Sequence, residues 1–209
     1  DTNGGYFVAV PAGDWNVSVS EDTAPTNYVF SGGYGQTLSD GQVVQWDFTA
    51  AFATNHITGS LKDNNDNPII GIGIWAHATI GGTYFQTRAD TDNSGNYSLN
   101  VANSNSWTVG VSYGCSDCES DLPSDYLPPA SQTTGITNNN GVVNFIALLA
   151  TTNITGHVQD SNGNPISGLG VWASATINGA VYFQQAGTDG SGNYSLSVAN
   201  ADWTVGVHC

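Results

Sequence analysis

Apolar and polar residues alternate with a period of two over much of this chain. Trp107, Val109 and Val111 share one phase, and Thr108, Gly110 and Ser112 take the other. Tyr97, Leu99 and Val101 alternate in the same way with Asn96, Ser98 and Asn100. Successive side chains of a strand point to opposite faces, so each run predicts a strand with one buried face. Between such runs stand Asp63-Asn64-Asn65-Asp66-Asn67-Pro68 and Asp92-Asn93-Ser94-Gly95-Asn96. These residue types accept positive φ and hydrogen-bond to nearby backbone, so both clusters predict turns. No stretch carries a 3.6-residue period with caps at both ends. The pattern predicts an all-β chain.

The pattern also repeats. Ile57-Thr58-Gly59 returns as Ile154-Thr155-Gly156, an offset of 97 residues. Asn67-Pro68-Ile69 returns as Asn164-Pro165-Ile166, and Trp75 as Trp172. Ser94-Gly95-Asn96-Tyr97-Ser98-Leu99 and Trp107-Thr108-Val109-Gly110-Val111 each return near residues 191–196 and 203–207. A more diverged copy stands at the start, in Tyr6 to Val10 and Trp15 to Val19. The division expected is the C-terminal part of one module in 1–55, a complete module in 56–152, and the N-terminal part of another in 153–209. About seven short strands in roughly 97 residues, with turns at regular spacing, predict tandem antiparallel Greek-key β-sandwiches.

The order Ile-Thr-Gly, Asp-x-Asn-x-Asn-Pro-Ile, an apolar strand, Thr-Asp-x-x-Gly-Asn-Tyr-Ser-Leu and Trp-Thr-Val-x-Val resembles the carboxypeptidase regulatory-like domains. The resemblance implies a transthyretin-like (prealbumin-like) sandwich, related to the B-type repeats of Gram-positive surface proteins. It further implies non-catalytic spacers, stalks or accessory domains of secreted and surface proteins. B-type repeats often carry a Lys–Asn isopeptide cross-link, but Lys62 is the only lysine here and Gln159 stands in its place one copy later. A repeating cross-link of that kind is chemically impossible in this array.

Composition narrows the function. Two basic side chains face 17 acidic ones, a formal net charge of −15, and only 9% of residues are charged. Lys62 and Arg88 form no basic stripe, which excludes neutralisation of nucleic-acid phosphates, and an anionic membrane would repel the chain. No apolar run reaches the roughly 18 residues of a membrane span, so no membrane insertion is expected. The lack of Met and of any signal or targeting segment suggests a mature, processed or excised piece. Three cysteines suggest an exported protein.

Nothing resembles an active site. His56, His77, His157 and His208 are scattered, Glu21 and Glu119 are the only glutamates, and neither Gly-x-Ser-x-Gly nor His-Glu-x-x-His occurs. Asp63, Asp66, Asp90 and Asp92 are weak calcium candidates, since hard cations take such oxygens. The stretch from Asp90 opens like an EF-hand loop, but its twelfth position is Val101 and no helices flank it; turn chemistry accounts for the same residues. Cys115 and Cys118 read as a disulfide stapling their loop, with Cys209 pairing beyond the module or on a neighbour. Trp107 and Trp203 fall in phase with valines and belong to cores. Trp75 and Trp172 take the opposite phase to Ile72, Ile74, Ala76, Ala78 and Ile80, and to their counterparts Leu169, Val171, Ala173, Ala175 and Ile177. They are candidates for an interface between modules or strands, for a glycan-stacking platform, or for cover by their own loops. Asn16, Asn96, Asn153 and Asn193 begin glycosylation sequons.

The short joins from Phe48 to Ile57 and from Phe145 to Ile154 are not flexible linkers, which are longer and rich in Gly or Ser. The reading is a non-catalytic repeat protein forming a rigid extracellular stalk, fibre or filament, with itself as partner through a homopolymer or a longer array. Half-modules completed by another subunit and a stretch of a longer array both fit the incomplete ends. The rival is a carbohydrate-binding or adhesive accessory module of a secreted or surface protein.

Overall fold

The computed structural model describes residues 2–20, 25–114 and 121–208. Every regular element among them is a strand. The first segment holds β1 (Gly13–Val17), β2 (Tyr28–Ser31), β3 (Tyr34–Leu38) and β4 (Ala50–Phe52). The middle segment holds β5 (Asn55–Asp63), β6 (Gly73–Ile80), β7 (Thr83–Asp90), β8 (Asn96–Val101) and β9 (Ser104–Val111). It continues with β10 (Tyr126–Leu127), β11 (Gln132–Ile136), β12 (Gly141–Val142) and β13 (Phe145–Leu149). The third segment holds β14 (Thr152–His157), β15 (Gly170–Ile177), β16 (Ala180–Gly187), β17 (Asn193–Val198) and β18 (Thr204–Val207).

Two sheets enclose the middle core. One runs β11-β9-β6-β7 and continues into β2 and β4 of the first segment. The other is built on β5, which pairs with β8 on one side and with β12 and β13 on the other, β10 lying beyond β13. Period-two alternation sends Ile74, Ala76, Ala78, Trp107, Val109 and Val111 inward from the first sheet. Ile57, Leu61, Tyr97, Leu99, Val101 and Phe145 come inward from the second. Trp107 has no exposed surface, and its indole N–H donates to Ala102 O at 2.9 Å. The other copies repeat that bond as Trp15 to Pro11 O and Trp203 to Ala199 O, each at 2.9 Å.

The sandwich is all-β but not wholly antiparallel. β12 and β13 run parallel to β5, with Gly141 opposite Ile57 and Phe145 opposite Leu61. The module's first and last strands therefore point the same way, so the chain enters at one end and leaves at the other. A strand pattern carries no sign of direction, which is why the alternation alone suggested an antiparallel unit.

The turns follow their chemistry. Asp63 Oδ1 accepts the backbone N–H groups of Asn65 and Asn67 at 2.8 and 2.9 Å, and Oδ2 accepts Asn67 Nδ2 at 2.9 Å. Asp160 makes the same three bonds one copy later. Gly95, at φ 74°, closes the turn before β8, where a Cβ would press on Leu61 O; Gly192 repeats it.

Candidate functional site

One feature that recurs is the joint between successive segments. Val29, Phe85 and Ala102 belong to the middle core, and Ala51, Ala53 and Ile80 pack against it. One copy on, Leu127, Leu148 and Tyr182 form a separate buried cluster, with Ala150, Ile177 and Ala199 packed on it. Four of these pairs (Ala53/Ala150, Ile80/Ile177, Phe85/Tyr182, Ala102/Ala199) keep the offset of 97 found in the sequence. Each joint takes a short strand and an exit strand from the earlier segment. From the later segment it takes a hairpin edge and the loop entered after Val101 or Val198.

Backbone bonds repeat with the side chains. Tyr28 N–H donates to Pro25 O at 3.1 Å, and Tyr126 N–H to Pro123 O at 2.9 Å. Ala53 N–H donates to Asn27 O and Ala150 N–H to Asp125 O, both at 2.8 Å. Matching bonds also cross the two joints: Gly32 N–H to Tyr84 O at 3.1 Å, and Ala130 N–H to Val181 O at 3.2 Å.

The joints differ where the sequence differs. β2 pairs with β7 through Phe30–Gln86 and Ser31–Phe85, which makes one sheet of two segments. The corresponding stretch after Leu127 is Pro128-Pro129, and only the Pro129–Tyr182 bridge remains. Proline has no N–H to give a ladder. Tyr182 adds a bond that Phe85 cannot make, its hydroxyl donating to Ile146 O at 2.9 Å. Burial raises the Tyr182 pKa, so the hydroxyl keeps the proton it donates.

The sequence marks the joins as short but not what packs them, although a signal exists: Pro25-Thr26-Asn27-Tyr28-Val29 returns as Pro123-Ser124-Asp125-Tyr126-Leu127. It also passed over Thr91 and Thr188. The buried Thr91 hydroxyl donates to Ile69 O at 2.8 Å and accepts Ile72 N–H at 2.9 Å. Thr188 Oγ1 accepts Leu169 N–H at 2.9 Å.

Trp75 lies half-buried on the outer face of the first sheet, in space that a side chain at Gly110 would need, and its indole N–H donates to Val111 O at 3.3 Å. It stacks on His77 at 5.4 Å between centroids, and His77 stacks on Tyr84 at 5.3 Å. Beside this row a cavity of about 620 Å³ is lined by His77, Thr79, Asn105, Ser106, Thr108 and Thr137 among others. Trp172 lies against Gly206 in the same manner and stacks on Phe183 at 6.4 Å. Phe183 stands opposite Ser174, the residue in the place of His77, so an aromatic neighbour for the tryptophan is kept by a different residue.

Asp63 and Asp92 are engaged in turns. Asp63 does so as described, and its hydrogen bond from the Asn67 amide holds its pKa below the usual carboxylate range against the opposing pull of desolvation. Asp92 Oδ1 accepts Ser94 and Asn96 N–H at 2.8 and 2.9 Å. Asp66 pairs with Lys62 at 2.7 Å, and Asp90 lies 3.6 Å from Arg88 Nε. Among the described residues no three His, Cys, Asp or Glu side chains gather where they could hold a metal ion. Cys115, Cys118 and Cys209 lie outside the described residues. Asn16, Asn96, Asn153 and Asn193 are exposed. Asn153 Oδ1 accepts the Ser197 hydroxyl at 2.9 Å, and the Asn193 amide donates to Asp189 Oδ2 at 3.3 Å.

No family model matches the chain, so the carboxypeptidase regulatory-like resemblance stays at the level of its motifs. No curated protein matches it either. Among solved structures it is similar to the Bacillus anthracis TIE protein, at 12% identity and a TM-score of 0.37, over 96% of this chain and 37% of that one. This chain thus spans well under half of that protein's length. It is similar to a streptococcal ancillary pilin at 10% identity and a TM-score of 0.34, over 96% of this chain and 72% of that one. Shaft pilin SpaA from Lactobacillus rhamnosus GG matches at 11% identity and a TM-score of 0.32, over 74% of this chain and 86% of that one. At these overlaps the likeness is loose, and the fold and joints rest on this chain's own geometry.

Proposed function

We propose that this chain is a non-catalytic structural protein of the cell exterior, a stiff segment of a stalk or filament. The observation that carries the reading is the reuse of one joint at two successive boundaries, built from matching positions and sharing three matching backbone bonds. Parallel first and last strands send the chain through the middle module from end to end, and a repeated joint then sets one segment on the next in a similar way. Apolar packing and hydrogen bonds across a boundary resist hinge motion, where a flexible linker would not. Two basic residues leave trypsin-like proteases few sites, which suits exposure outside cells. Small-angle scattering together with electron microscopy tests it: an extended, narrow distribution of shapes is expected. A broad distribution of inter-segment angles would sink the reading.

The row Trp75–His77–Tyr84 beside a cleft of hydroxyl and amide groups favours a second reading, a glycan-binding surface. Binding of a neutral polysaccharide that is lost in Trp75→Ala would support it.

A further inference from the structure

One loop sets the middle module apart from the copies on either side. The stretch from Val101 to Trp107 is one residue longer than Val10 to Trp15 or Val198 to Trp203. Its chemistry differs too, since Ser106 precedes the tryptophan where Asp14 and Asp202 do so in the other copies. The added residue is taken up as a bulge. β1 runs against β3 without interruption, Gly13 opposite Leu38 and Trp15 opposite Gln36. On β9, Trp107 stands opposite Thr134 but Ser104 opposite Ile136, so three steps of β9 meet two of β11. Gly135, in the place of Thr37, leaves room for the bulge: a Cβ there would lie 3.1 Å from Asn105 O. Bulges re-aim side chains and recur beside functional sites.

The bulged residues Asn105 and Ser106 line the cavity of about 620 Å³. One wall is the far end of β6 and the other is the start of β9. The two strands pair as far as His77 and Thr108 and then part, β6 continuing to Ile80 on β7 alone. His77 stands at this fork with its ring stacked on Trp75 and Tyr84. Trp75 backs His77 but does not line the cavity. The hydroxyls of Thr79, Ser106 and Thr108 and the side-chain amide of Asn105 border the gap, and none has a protein partner among the described residues. No carboxylate, lysine or arginine lines it.

We infer that this cleft binds an uncharged oligosaccharide, with one sugar ring against His77 and its hydroxyls on Thr79, Asn105, Ser106 and Thr108. Neutral donors and acceptors around a gap suit a ligand rich in hydroxyls, and the imidazole supplies a flat contact for the C–H face of a sugar. The volume falls within the roughly 300–1,000 Å³ of small-ligand sites. A uronate or phosphate group would meet no lysine or arginine in the cleft, on a chain of net charge −15. The third copy is not built for the same task. It has Ser174 for His77 and Ala201-Asp202 for Ser104-Asn105-Ser106.

The inference rests on the glycan reading, to which it adds where the sugar sits and of what class it is; the stalk reading does not depend on it. The test is NMR titration of the intact chain with cellotetraose, maltotetraose and chitotetraose, and with tetragalacturonate as the charged probe. At least one neutral probe should shift the amides of Thr79, Ser106 and Thr108 and leave those of Thr176 and Thr204, their counterparts, in place. Tetragalacturonate should shift none of them. Replacing Ser104-Asn105-Ser106 by the Ala-Asp of the third copy should weaken binding by about tenfold or more, as should His77→Ser. Both changes install what another copy already carries at that place, and unmoved amides of Val109 and Val111 would show that the core is intact. Sugar binding that Trp75→Ala abolishes, but that both cleft variants leave unchanged, overturns the inference and keeps the glycan reading. Preference for tetragalacturonate overturns the uncharged class. No shift with any neutral probe at millimolar concentration overturns the inference and the glycan reading together.

Discussion

Replacing Tyr182 by alanine should loosen the second joint without unfolding the middle module. Tyr182 is 2% exposed and is the largest buried side chain of a cluster whose other buried members are Leu127 and Leu148. A buried tyrosine removes roughly 150–250 Å² from water, and about 25 cal/mol per Å² of its apolar part gives about 2–3 kcal/mol. The bond to Ile146 O adds about 1 kcal/mol. Truncation therefore costs about 3–4 kcal/mol, a factor on the order of 100 to 1000 in the opening equilibrium of the joint. The Ala130 N–H reports that opening directly, since it donates to Val181 O across the joint. It is also the one amide between Leu127 and Ser131, because Pro128 and Pro129 have none. Amide exchange followed by NMR should show Ala130 accelerated by about that factor, up to the limit set by full exposure. The amides of β9 should keep their protection. Tyr182→Phe keeps the packing and loses the hydroxyl bond, so its acceleration should be about fivefold. If Tyr182→Ala changes Ala130 exchange by less than about threefold in a folded chain, the joint is not held by this cluster and the stiffness argument fails.

Thr91→Val keeps the shape of the side chain but orphans Ile69 O and Ile72 N–H, both bonded to the buried hydroxyl. Urea unfolding should show a loss of about 2–3 kcal/mol, and Thr188→Val, which loses the bond from Leu169 N–H, should cost less. Acid should weaken the fold through its turn carboxylates. The pKa values of Asp63, Asp160 and Asp189 are all lowered by hydrogen bonds their carboxylates accept. A depressed folded pKa gives stability that is complete above the ordinary aspartate value of about 3.9 and is lost as pH falls through the folded values. Urea midpoints measured from pH 6 to pH 2 should therefore drop below about pH 4. The drop should be shallower in Asp63→Asn, which starts less stable; equal slopes would remove Asp63 from the account.

Much of the module was legible residue by residue. Which face of β6, β8 or β9 turns inward follows from a period of two, and the structure buries Ile74, Leu99 and Trp107 on that basis. The Asp63 and Asp92 turns could be read as turns because an Asx side chain reaches its own backbone two to four residues on. The phase of β6 puts Trp75 on the face opposite Ile74 and Ala76, where its ring lies half-buried. That it would settle over Gly110, in a neighbouring strand, was not readable from either residue alone.

The sequence by itself determined the local terms: strand, turn, inner and outer face, and the recurrence of one unit at an offset of 97. These depend on neighbours a few residues apart, where backbone stereochemistry leaves few choices. The tertiary structure decided what alternation cannot encode. β13 lies beside β5 and parallel to it, although Phe145 and Leu61 are far apart in the chain. β2 leaves its own segment to extend the sheet of the next. The joints arise because an exposed β7 or β16 edge and the apolar residues around it can be satisfied by whatever strand end lies nearest in space. That choice is made by burial and by unpaired backbone groups seeking partners, long-range forces that leave only a faint trace such as Pro-x-Asn-Tyr-Val in the sequence itself.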